Sequence, residues 1–334
     1  MINYLVSIAT QGVIFAIFVL GLNVRWGWEG DLDIAYYAFI AIGAYIDAVL
    51  TLPPAGLRPP TEYILGLRWP FVAGALGAML AGGLLSLVVG AIALRKLRGD
   101  YFAITTLATA LIMQAVISND ARIFAGYNGL YGLSQPFNSV LRLDPHVYPV
   151  FYLAFCLAVL IAVYLFLERL FWSPFGRALR SVREDETAAA AFGRNVFALK
   201  LKGYVIGGVI AGLGGALFVH FLGAFNVSAW SPVETLLLYA AIFVGGTGNN
   251  RGVILGIFLV LIFFQEVTRF LPEIPGHPDF GPAVREILIG ILILAVLRWR
   301  PQGILPEPRA QDRDPASAAG YAAGSAVAGT RAGG

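Results

Sequence analysis

The sequence predicts an all-α integral membrane protein, a polytopic bundle of about 8–10 transmembrane helices. Three observations carry that prediction. The 334 residues are 58% hydrophobic and only 13% charged, about half the charged fraction of a soluble domain. The apolar runs reach about 20 residues, the length at which a helix crosses a bilayer. They are apolar on every face, whereas the strands of a membrane barrel alternate apolar and polar residues.

In chain order, spans are predicted at 3–23, 33–52, 70–94, 101–117, 147–167, 203–222, 234–247, 252–270 and 283–297. The fourth and seventh are short. No Lys or Arg precedes Arg25, so the first run lacks the positive flank of a cleaved signal peptide and reads as a permanent span. Cytoplasmic loops are enriched in Lys and Arg. Alternating the sides leaves six of the 23 basic residues on one face: Arg58, Arg68, Arg122, Arg142, Arg269 and Arg285. Arg25, Arg95, Lys96, Arg98, Arg251, the tail from Arg298 and a charged loop over 168–202 share the other face, which is then cytoplasmic. The N-terminus falls outside and the C-terminus in the cytoplasm. Residues 1–305 form the membrane domain. Residues 306–334, rich in Ala, Gly and Pro and without periodicity, are expected to be a disordered cytoplasmic tail.

Gly203, Gly207, Ala211 and Gly215 recur every fourth residue, with Gly208 and Gly212 beside them. Such a stripe lets two helix backbones approach closely in lipid. Gly74, Ala78 and Gly82 repeat the pattern in the third span. Static packing is the simpler reading; a sliding surface used during transport is the functional one.

Enzymatic signatures are missing. No G-x-x-x-x-G-K-[ST] or G-x-S-x-G occurs, and "GGTGNNRG" at 245–252 reads as a helix end and turn. His146, His220 and His277 are far apart, and the single Cys156 lies in an apolar run. No catalytic residue and no metal site is assigned. Ionisable residues within spans are functional candidates by default. Asp47 lies in the second span, as a pathway residue or half of a buried pair, and Glu266 lies late in the eighth. Glu29, Asp31, Asp33 and Glu234 stand near predicted span ends, where water alone can satisfy them.

The densest charge lies in "SPFGRALRSVREDETAAAAFG", residues 173–193. Ser173 followed by Pro174 starts a helix, and Arg177, Arg180 and Arg183 follow at threes on one face. Asp185 is placed to cap a second helix with Glu186 in its first turn. Four alanines from Ala188 carry that helix for about eight residues, and Gly193 suits a left-handed terminator. A helix this short is not stable alone. With the apolar Phe192 at its end, it suits a partner's groove; the alternative is a plain loop of amphipathic surface helices.

These residues resemble the cytoplasmic coupling loop of ABC importer permeases, with Glu186, Ala188, Ala189 and Gly193 in the places of its "EAA…G" segment. The chain as a whole is similar to the LivM-type permeases of branched-chain amino acid ABC importers. The likeness rests on 173–185, "LRGDYFAITTLA" from Leu97, "YNGLYGL" from Tyr127, "AGLGGALF" from Ala211, "VGGTGNNRGVILG" from Val244 and "RPQGIL" from Arg300. One stretch departs from the family. Between Gly21 and Tyr45 the scaffold residues Gly21, Leu22, Asn23, Gly27, Gly30, Ala38, Phe39, Gly43 and Tyr45 remain. Asp31, Asp33 and Tyr36 stand where apolar, serine and glycine or histidine types are usual.

The resemblance implies a multi-pass subunit of the bacterial inner membrane that moves branched-chain amino acids inward by alternating access. It implies a second homologous permease, two cytoplasmic ATPase subunits that bind ATP and Mg, and a periplasmic substrate-binding protein. No cofactor is expected on this chain, and the lipid bilayer rather than nucleic acid is its environment. The coupling contacts would come from Arg177, Arg180, Arg183, Glu186, Ala188, Ala189, Phe192 and Gly193. Candidate pathway or substrate-binding residues are Asn23, Asp31, Asp33, Asp47 and Asn128, since helix ends at broken segments bind polar substrates in transporters. A permease for urea or short amides is the alternative within this class. An ion-coupled secondary transporter is the alternative outside it.

Overall fold

The computed structural model describes residues 2–54, 65–97, 99–120, 125–226, 233–269 and 280–308. Arg58, Arg98, Arg122, His277, the tail from 309 and the side chains of Glu266, Arg269 and Arg285 lie outside the described parts.

Each of the nine predicted spans falls mostly on one helix, although the helix of the second begins at Tyr36 rather than 33 and that of the seventh ends at Gly245 rather than 247. α1 (Ile2–Asn23) continues into a π-helical turn, Val24–Trp28, and α2 follows at Tyr36–Thr51. α3 (Phe71–Lys96) and α4 (Asp100–Asn119) precede a 3-10 turn at Gly126–Asn128, a short strand β1 (Leu130–Tyr131) and the one-turn α5 (Asn138–Leu141). α6 (Tyr148–Trp172) leads into two short helices, α7 (Pro174–Glu184) and α8 (Glu186–Ala191). Then come α9 (Val196–Leu222), β2 (Ala224–Phe225), α10 (Val233–Gly245), α11 (Asn250–Arg269) and α12 (Phe280–Trp299). Among the described residues, α1, α3, α4, α6 and α9 are each long and apolar enough to cross a bilayer. α10 and the first part of α11 pass the same test together, bent by 120° at their junction. α2 and the apolar part of α12 are shorter.

α9 is the hub, packed most extensively along α3 and α2 and also along α1. Its glycines divide between partners. A methyl at Gly208 or Gly212 would run into the backbone of Gly82 or Ala78 on α3. One at Gly215 would meet Ile40 and Ala44 on α2. Close backbone approach of this kind is what small residues provide in lipid, where burial between helices supplies little driving force. Gly203 and Gly207 differ, because they face the side chains of Glu29 and Arg25. That end of the stripe makes room for charged groups, and at Gly207 also for the Gly21 carbonyl. At the far end Gly223, at φ +67°, terminates α9. β2 then pairs antiparallel with β1, Leu130 opposite Phe225.

Two boundaries are corrected. The charged connection is 173–195, not 168–202, because α6 runs on to Trp172 and α9 starts at Val196. Helical hydrogen bonding does not stop where the apolar run stops, so Arg169, Lys200 and Lys202 sit on helix extensions. The tail is not loose from 306. Ile304 N and Leu305 N donate to the carbonyls of Val244 and Gly245 at 2.9 Å each. Asn249 holds the carbonyl of Pro306 at 2.8 Å.

Candidate functional site

The charged connection folds as its residue types require. Ser173 accepts from the Gly176 N–H at 3.3 Å and caps α7, whose inner face buries Ala178, Leu179 and Val182. Asp185 caps α8 by accepting from the N–H groups of Thr187 and Ala188 at 2.8 and 3.0 Å. Together with the Thr187 hydroxyl, these donors hold the Asp185 carboxyl below its usual range. α8 has six residues rather than about eight, and only Ala189 is buried in it. Gly193, at φ +77°, turns the chain out of the helix. Phe192 beside it is 87% exposed, so no described residue covers its apolar surface.

The three arginines, expected to share a face, take separate tasks. Arg177 donates to the Trp172 carbonyl at 2.7 Å. Arg180 lies over the Phe171 ring at 3.9 Å and its guanidinium is 3.6 Å from Glu307. Arg183 binds Glu307 at 2.6 Å and also donates to the Gly27 carbonyl in the π turn. A cleft of about 840 Å³ opens between α7 and the C-terminal segment, lined by Arg177, Arg180, Arg183, Glu184, Gln302 and Glu307.

Behind the loop lies a buried ionic cluster. Residues 29–35 join the π turn to α2 without regular structure. The Gly30 and Asp31 N–H groups donate to the Trp26 and Arg25 carbonyls at 3.0 and 3.2 Å, and side chains from other helices satisfy the backbone at Asp33 and Ile34. The Asp33 N–H donates to the Tyr239 hydroxyl at 2.8 Å, and the Ile34 N–H to Thr106 at 3.1 Å. Thr235 donates back to the Ile34 carbonyl at 3.1 Å. Irregular backbone at membrane depth is tolerated only when enclosed in this way. Arg25 pairs with Asp33, both fully buried. Arg25 also donates to the Tyr204 carbonyl at 2.8 Å and lies over the Tyr204 ring at 3.8 Å. Lys200 reaches Asp31 at 2.8 Å and Glu186 of α8 at 2.5 Å. Glu29 is 1% exposed, and its carboxyl oxygens have no hydrogen-bond partner among the described residues. Burial, reinforced by the charge of Asp31, pushes that carboxyl well above its usual range.

The candidate pathway residues are thereby distributed. Asn23 is fully buried, donates to Asn250 at 3.2 Å and accepts from Gly248 N at 3.0 Å. It holds the α10–α11 turn, where Gly245–Asn250 is indeed a helix end and turn. Asp31 and Asp33 are buried and ion-paired, so the expectation that water satisfies them is corrected. The break after the π turn folds them inward onto Lys200 and Arg25. Asp47, fully buried, sits 2.6 Å from His220 Nε2. His220 Nδ1 faces the Ser134 carbonyl at 2.9 Å. This places Asp47 in a buried pair, with a histidine whose partner is invisible in sequence. Asn128 is exposed in the 3-10 turn at the same end of the bundle. Near it a cavity of about 510 Å³ is lined by Arg68, Trp69, Phe71, Phe137 and His220. The sequence reading missed Lys200, His220 and Glu307. Only the position of Lys200 just before an apolar run hinted that it lies at a membrane boundary.

Comparison with known proteins bears on the whole of this arrangement. Residues 4–297 match the family described as branched-chain amino acid transport system, permease component. The chain is 32% identical to the high-affinity branched-chain amino acid transport system permease protein LivM of Escherichia coli, over 92% of this chain and 71% of that one. A probable branched-chain amino acid transport permease protein LivM of Methanocaldococcus jannaschii is also 32% identical, over 88% and 91% of the two chains. The nucleoside ABC transporter permease protein NupC of Lactococcus lactis is 27% identical over 80% and 83%. No solved structure matches. With nearly all of its helices inside that match, the chain belongs to the branched-chain amino acid transport system permease family.

Proposed function

We propose that this chain is one membrane-spanning permease subunit of an ATP-driven importer of branched-chain amino acids. A second permease completes the pathway, and a secreted binding protein delivers substrate. Two ATPase subunits, carrying ATP and Mg, engage the loop at 173–195. The N-terminus lies outside and the C-terminus in the cytoplasm of a bacterial inner membrane. The observation that carries this reading is the capped α8 with Phe192 exposed beside it. A large apolar group on a short helix, next to a cleft lined by three arginines, suits a protein partner and no internal role. The substrate class rests on the relatives' names, and the nucleoside permease among them makes nucleosides the second reading.

The test is purification of the tagged chain co-expressed with neighbouring ATPase candidates. The parent retains ATPase subunits. Phe192→Asp loses them by about 10-fold or more, the scale of an interface anchor, while membrane insertion is unchanged. Equal retention by both removes α8 from the interface. Binding of leucine, a nucleoside and urea to the cognate binding protein then decides the substrate. A protein that binds nucleoside and not leucine replaces the amino acid reading.

A further inference from the structure

The buried cluster touches the docking loop at one ionic contact, and that contact leads somewhere. Glu186 stands in the first turn of α8, Lys200 in the second turn of α9, and Asp31 in the joint between α1 and α2. The two contacts, at 2.5 and 2.8 Å, share one ammonium group. Two residues further on, Asp33 holds Arg25, which is bound in turn to the Tyr204 carbonyl on α9. We propose that Glu186–Lys200–Asp31 is a positioning bridge through which displacement of α8 shifts the joint between α1 and α2. The proposal rests on the reading of 173–195 as the ATPase contact.

Three features support a transmitting role. First, α8 has little other hold on the bundle. It buries Ala189 alone, and its far end leaves Phe192 exposed. Second, the Lys200–Asp31 half of the bridge is screened from water, while Glu186 is 26% exposed. The side chains of Lys200 and Asp31 are 9% and 10% exposed, so neither charge can exchange its partner for solvent without a large cost. Moving Glu186 therefore draws Lys200, and Lys200 draws Asp31. Third, the receiving segment is built to repack. Glu29, Gly30 and Asp31 still donate to π-turn carbonyls, but beyond them Asp33 and Ile34 are held by the Thr106, Thr235 and Tyr239 side chains rather than by a helix or sheet ladder. Side-chain partners can be exchanged one at a time, whereas a helical ladder resists as a unit. α9 also presents Gly203 and Gly207 to Glu29 and Arg25, so no α9 side chain at those positions blocks a shift. α7 reaches the same joint through Arg183, which donates to the Gly27 carbonyl, and through Glu307 it is also tied to the C-terminal segment.

The experiment uses the complete transporter, reconstituted in proteoliposomes with its binding protein. It measures substrate imported per ATP hydrolysed. Lys200→Met is expected to keep its ATPase subunits and its basal hydrolysis. It should lose about 10-fold or more of the import per ATP, the scale of a typical coupling free energy. Lys200→Arg restores it, since the charge and reach are kept. Glu186→Gln, a milder and partly exposed change, gives the same uncoupling in smaller measure and serves if Lys200→Met does not accumulate in the membrane. Import per ATP within about 2-fold of the parent in either variant overturns the proposal. Loss of the ATPase subunits on purification of Glu186→Gln overturns it too, because Glu186 then acts in docking. If the parent chain itself retains no ATPase, the reading under Proposed function fails instead.

Discussion

The two ends of α9 each bury a basic side chain against an aspartate, and they are built differently. At one end Lys200 is shared between Asp31 and Glu186, which belong to separate elements. Arg25 and Asp33 lie close by, and Glu186 carries the network to the protein surface. At the other end His220 faces Asp47 alone. Its remaining contacts are the Ser134 carbonyl and the edge of the Phe71 ring. This pair is closed, whereas the Lys200 network is open at its α8 end. A closed pair fixes two helices relative to each other. An open network has a member that something outside the chain can move.

Breaking the comparison begins with its largest effect. Asp33→Ala leaves Arg25 buried without its carboxylate, and stranding a buried charge costs about 3–5 kcal/mol. Thermal unfolding in nanodiscs should drop accordingly, with partial recovery when Arg25→Met is added. An unchanged midpoint for Asp33→Ala would mean that the pair contributes nothing. A middle effect comes from the other end. His220→Leu leaves Asp47 unpaired and should cost about 1–3 kcal/mol. Adding Asp47→Leu should restore stability, because an apolar replacement of a closed pair is commonly neutral. Import by the double variant should match the parent. A folded double variant that cannot transport would place this pair in the pathway and end the contrast.

The smallest effect concerns Glu29. Its folded carboxyl takes up a proton at higher pH than the unfolded one. Between those two points the folded state binds more protons, so stability falls as pH rises through that window. Glu29→Gln removes this dependence. It should match the parent within about 0.5 kcal/mol at low pH and gain on it progressively as pH rises. Melting curves between about pH 5 and about pH 9 read this directly, and a constant difference would show that the carboxyl does not titrate there.

The helices and caps were legible because both are local. An apolar run of span length, Ser173 before Pro174, and Asp185 before the alanines each act within a few residues. The two capped helices of the charged connection were legible for the same reason, although its ends were not. Apolarity marks where lipid stops, while α6 and α9 stop only where their hydrogen bonds do. Partnership was illegible. Lys200 and Asp31 are 169 positions apart, and Arg183 and Glu307 are 124 apart. Asp31, Asp33 and Tyr36 stood out only as departures from the family. The structure gives them a common account: Asp31 answers Lys200, Asp33 answers Arg25, and the Tyr36 ring lies 5.1 Å from the Arg25 guanidinium. Groups that answer two neighbouring buried cations look, in sequence, like isolated oddities.

The contact of Glu307 with Arg180 and Arg183 also sets an order of events. Glu307 follows every membrane helix, so it leaves the ribosome only after all of them have been made. Until then α7 and the α10–α11 turn have no carboxylate to join them. The cleft beside α7 consequently takes shape only after α12 has been made, and a chain cut before Glu307 cannot display it.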